Sequence, residues 1–170
     1  MVEAAIFVIF PMCLVLAALT DLLEMTIPNR IPAILLGAFF VVAPFVGLTW
    51  AGFGLHLLAG LIVLSVGFTL FAFNVMGGGD AKLLTAAAVW YGFSSSLMSF
   101  LVHVAYLGGI LTILLLILRA RSNSVLAMGL PLPRSLIGAK KVPYAIGIGI
   151  AGLMTYPQSP LVLAALENIR

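Results

Sequence analysis

Apolar residues run along this chain in long blocks, and polar residues collect at the short breaks between them. A half-buried strand would alternate instead, and blocks near 20 residues match the length of a helix crossing a bilayer. The breaks divide the chain into six predicted spans, at about residues 4–24, 31–50, 52–73, 81–97, 99–118 and 142–165. The expected fold class is all-α: a polytopic membrane protein of one transmembrane domain over residues 1–170. Pro28 stops the first helix, and Asn29 is expected to cap the second. Pro32 falls in a first turn, where its missing N–H costs little, and Pro44 is expected to kink its helix. Gly52 and its neighbours are expected to make the next turn. Pro157 and Pro160 blur the end of the sixth span.

Charge then orients these spans. The eight basic residues are Arg30, Lys82, Arg119, Arg121, Arg134, Lys140, Lys141 and Arg170. Six spans put the connections 20–30, 74–82 and 119–141 on one side, and these hold every basic residue except Arg170. An excess of Lys and Arg marks the cytoplasmic side, so both termini are expected outside. Trp50, Trp90 and Tyr91 are expected near the outer ends as an interfacial aromatic belt. The 119–141 stretch is the only one long enough for an irregular connector, expected to lie against the membrane or to help admit a substrate.

Composition supports lipid as the solvent. Of 170 residues, 64% are hydrophobic and 8% charged, with mean hydropathy +1.28, against about a quarter charged in soluble domains. A net charge of +3 reflects orientation rather than nucleic-acid binding, because no clustered basic face exists outside one loop. The sole cysteine, Cys13, cannot pair within the chain and reads as a small buried hydrophobe. The start Met-Val-Glu lacks the positive charge of a secretory leader, so the first block is expected to be a true span.

Five acids remain: Glu3, Asp21, Glu24, Asp80 and Glu167. Glu3 and Glu167 sit at the termini. Asp21 ends the first apolar block, and Asp80 closes the run Met76-Gly77-Gly78-Gly79-Asp80-Ala81-Lys82 after a fully apolar one. Carboxylates at the edge of hydrocarbon are costly and point to function. Both belong to the same predicted side, where two aspartates that meet can share a proton, one serving as base and the other as acid. Such a pair can activate a water for peptide hydrolysis. Gly77, Gly78 and Gly79 allow close backbone approach and φ values denied to other residues. Glu24, three residues after Asp21, either holds a basic group or is solvated. Lys82 either tunes Asp80 or anchors its helix. His56 and His103, without further ligands nearby, are expected in interhelical hydrogen bonds rather than a metal site.

Asp21 followed by Pro28-Asn29, then Gly77-x-Gly79-Asp80-x-Lys82, resembles the type IV prepilin peptidase family, and Lys141-Val142-Pro143-Tyr144 resembles the start of that family's last span. The Gly-x-Gly-Asp string alone is also similar to the presenilin and signal peptide peptidase group, but those are longer and place a Tyr-Asp ahead of it. The resemblance implies that Asp21 and Asp80 are catalytic, with Gly77, Gly78, Gly79, Lys82, Glu24, Pro28 and Asn29 in support. It implies no cofactor and no metal. Its substrates would be prepilins or pseudopilins, cut at the cytoplasmic face of the bacterial inner membrane between a short basic leader and a hydrophobic helix. Larger members carry a Cys-x-x-Cys insert and also N-methylate the product. Having one cysteine and no room for an insert, this chain is similar to the short peptidase-only branch that serves Tad/Flp pili. Two other readings stay open: an ion or solute carrier with the aspartates as ligands, and a non-enzymatic subunit of a pilus or secretion assembly.

Overall fold

The structure, a computed structural model, describes residues 2–121 and 142–169, and no strand occurs among them. Its helices are α1 (Val2–Glu24), α2 (Arg30–Val42), α3 (Trp50–Ala72), α4 (Gly78–Tyr91), α5 (Ser95–Ala120), α6 (Tyr144–Thr155) and α7 (Pro160–Ile169). Short 3₁₀ turns follow α2 at Ala43–Val46 and α6 at Tyr156–Gln158. The expected connector at 119–141, with Arg134, Lys140 and Lys141, falls almost wholly outside the described residues.

Among the described residues three helices are long and apolar enough to cross a membrane: α1 from Ala5, α3 and α5. A fourth crossing exists if α6 and α7, bent by 40° at their break, count as one. α2 and α4 are shorter than the predicted second and fourth spans. At 1.5 Å per residue the 14 residues of α4 reach about 21 Å, below the roughly 30 Å of a hydrocarbon core.

Several predicted boundaries move for identifiable reasons. The turn into α3 is made by Gly47, at φ +76°, and by Thr49, whose side chain accepts from the Gly52 N–H. Gly52 is therefore already helical. Pro44 ends α2 rather than kinking it, because the chain tightens into the 3₁₀ turn there. α4 begins at Gly78, three residues earlier than expected, and stops at Tyr91 because Gly92 takes φ +62°. Ser94 then caps α5, accepting from the Leu97 N–H. α3 ends with Asn74 in the left-handed region, its N–H bonded to the Phe71 carbonyl and that of Val75 to Leu70. This paired arrangement satisfies carbonyls that the last turn leaves open.

α4 is the axis of the bundle. It packs along α3 and α2, while α6 packs on α1 and α5. Small residues set the α3–α4 distance: a Cβ on Gly60 would run into the Val89 side chain, and one on Gly67 would stand 3.2 Å from the Ala81 Cβ. Lipid offers apolar side chains no reason to leave it, so close backbone approach and buried polar bonds hold such helices together. Those bonds gather at the C-terminal end of α4. Trp90 donates to the Leu35 carbonyl at 2.9 Å, and the Tyr91 hydroxyl donates to the Gly152 carbonyl at 3.1 Å and lies 2.7 Å from the Thr155 hydroxyl. Tyr156 donates to the Ile6 carbonyl at 3.0 Å. Phe10 stacks on Tyr156, and Phe100 on Tyr91. Trp90 and Tyr91 are fully buried, so the expected aromatic belt loses both to the interior, and only Trp50 stands exposed.

Candidate active site

Asp21 sits in the last turn of α1, and Asp80 in the first turn of α4. They come from distant stretches of sequence, yet both line one recess of about 220 Å³. Its walls are the connection after α1 (Met25, Thr26, Ile27 and Asn29), the glycines Gly77, Gly78 and Gly79, and Val142 just ahead of α6. Both carboxylates are largely buried, Asp21 at 6% and Asp80 at 9% exposure.

Asp21 is held from across the bundle. Its Oδ2 accepts the Ala145 backbone N–H at 3.0 Å. That N–H is one of the first-turn donors of α6 that no carbonyl within the helix can reach, and the positive end of the helix dipole favours a carboxylate there. Asp80 occupies the equivalent favourable place at the start of its own helix. Gly77 precedes that helix, and a Cβ on it would lie 2.7 Å from Asp80 Oδ2.

The glycine run serves close approach rather than unusual φ. None of the three has positive φ, and Gly78 and Gly79 lie inside α4. A Cβ on Gly79 would stand 3.1 Å from Ile27 Cβ, and one on Gly78 3.2 Å from the Phe71 ring. Each glycine thus admits a different neighbour.

The supporting residues divide. Asn29 lines the recess, and its Oδ1 accepts from Lys82 Nζ at 2.9 Å. Asn29 stands at the N-cap of α2 but makes no capping bond, which corrects the expected role: its carboxamide is turned towards α4. Pro28 and Glu24 are exposed and do not line the recess. Of the two acids near the end of α1, Asp21 is therefore buried and Glu24 exposed. His56 is buried and donates from Nδ1 to the Val89 carbonyl at 2.7 Å, joining α3 to α4. His103 bonds the Ser99 carbonyl within its own helix, not across helices. Among the described residues no three His, Cys, Asp or Glu side chains are grouped to hold a metal ion.

Sequence reasoning missed Ile27, Met25 and Ala145. The part played by Ala145 is a backbone N–H, which leaves no mark in a sequence. Met25, at φ +54°, is the residue after α1, and no Asn or Gly advertises the left-handed turn.

No curated protein and no solved structure matches the chain. One family does match, over a stretch that ends before Val142-Pro143-Tyr144, so that part of the resemblance rests on the sequence alone. Residues 8–117, more than half of the chain and including both recess aspartates, match the type IV leader peptidase family, and the chain belongs to that family.

Proposed function

We propose that this protein is an aspartic endopeptidase that removes the leader peptide of prepilins or pseudopilins, with Asp21 and Asp80 as its catalytic pair. One observation carries the reading: two buried carboxylates from distant parts of the chain open on the same recess. In the mechanism, one carboxylate removes a proton from a water, whose oxygen attacks the scissile carbonyl. The protonated partner gives its proton to the departing amine as the C–N bond breaks. Two carboxylates brought together on a substrate divide these duties because neighbouring like charges do not readily ionise together, and the apparent pKa values then belong to the pair.

The recess also suits an extended peptide. Three glycines line it beside Asp80, leaving room that side chains would fill. The described basic residues Arg30, Lys82, Arg119 and Arg121 all belong to the helix ends on this side of the bundle. By the positive-inside rule this end faces the cytoplasm of the bacterial inner membrane, with six crossings if α2 and α4 traverse the bilayer as shortened spans. The chain acts as a single domain and without methyltransferase activity, in the manner of the peptidases that serve Tad/Flp pili. A carrier would place its acids near mid-membrane on broken helices, whereas these lie at helix ends.

The test is co-expression with a prepilin, reading leader removal as a gel shift. Asp21→Asn and Asp80→Asn are each expected to reduce processing at least about 1,000-fold, on the scale seen when a member of a catalytic set is removed, with the protein still inserted. Normal processing by either variant ends the two-aspartate mechanism.

A further inference from the structure

Past its glycines α4 is buried on every face except at Lys82. A lysine so placed is free to extend into solvent, yet its Nζ donates to Asn29 Oδ1 at 2.9 Å. Asn29 in turn forgoes the bond that its position offers. A side-chain oxygen at an N-cap ordinarily accepts from the first turn of its own helix, and here φ −57° and ψ −19° place Asn29 in the helical region with no such bond. A second attachment joins the same two pieces of chain, because Ile27 packs over Gly79, which has no Cβ to hold it off. One polar and one apolar contact thus tie the 25–29 connection to the opening turns of α4. That connection starts four residues after Asp21 and opens on Met25 in the left-handed region, a conformation kept by a non-glycine residue only where its surroundings hold it. Lys82 follows Asp80 by two residues.

We propose that Lys82 is a positioning residue: through Asn29 it fixes the 25–29 connection against α4, and so keeps Asp21 and Asp80 on one recess. The inference rests on the reading of the two aspartates as the catalytic pair. The bond is exposed to solvent, where such contacts add little to stability, so its effect is geometric. Small displacements of reacting groups cost rate steeply.

The test uses the full chain in membranes, with a prepilin as substrate and the amount of inserted protein measured for every variant. Lys82→Met and Asn29→Ala are each expected to lower kcat about tenfold with KM little changed. The double variant is expected to be no slower than the worse single one, because both remove the same contact. Lys82→Arg keeps a donor and is expected to recover most of the rate. Normal processing by Asn29→Ala, or losses that multiply in the double variant, overturns the proposal and leaves Lys82 acting alone on substrate or on Asp80. Normal processing by Asp21→Asn or Asp80→Asn strikes the underlying reading instead, so the two failures are told apart.

Discussion

α3 and α4 lie side by side, and they solve opposite problems. α3 has 23 residues and turns Leu61, Val66 and Phe68 outward at 56–63% exposure, keeping His56, Ala59, Gly60, Val63 and Gly67 for the inner face. α4 has 14 residues, 11 of them buried, including Ala86, Ala87 and Ala88. On α3 the larger apolar side chains face outward and the small ones inward, the reverse of a helix in a water-soluble bundle. That inversion follows when the solvent is itself hydrocarbon: outer bulk costs nothing, and inner closeness supplies the contacts. The central helix, which carries Asp80, is held by fit.

The inner contacts are where the comparison breaks first. Gly60→Val places side-chain atoms where Val89 already stands and is expected to destabilise the protein by about 2–3 kcal/mol, measured by unfolding in detergent micelles. Gly77→Ala is expected to act on chemistry rather than fold. The new methyl displaces the flexible end of Asp80, so processing falls about tenfold, or about 1.4 kcal/mol in barrier, with unfolding unchanged. Trp90→Phe keeps a ring in the core but leaves the Leu35 carbonyl without its donor; a loss of about 1 kcal/mol is expected in the same unfolding assay. On the outer face, Leu61→Ala is expected to change stability by less than about 0.5 kcal/mol. A larger loss there implies that protein, not lipid, covers α3.

What the sequence made legible follows the same division. Asp21 and Asp80 stood out because a carboxylate at the end of an apolar block has few structural excuses. Their meeting could be anticipated once the blocks were counted. The burial of α4 could not. A helix surrounded on all sides has no amphipathic face to read, and Trp90 and Tyr91 resemble interfacial anchors until their partners Leu35, Gly152 and Thr155 are known. The glycines signalled freedom of the backbone, whereas what counts is the neighbour each admits. Asn29 before an apolar helix spelled a cap, and only the approach of Lys82 from α4 shows its oxygen engaged elsewhere.

The aromatic cluster of Phe10, Trp90, Tyr91, Phe100 and Tyr156 has a consequence for any cell that carries this protein. It packs around the far end of the same helix that begins at the recess. Peptide hydrolysis at a membrane demands a wet cavity, and a wet cavity that ran through would discharge the ion gradients on which the cell lives. Rings wedged against one another, with each phenol and indole tethered to a carbonyl, are expected to keep water that enters the recess from running on along α4, so that the recess is wetted from one end alone.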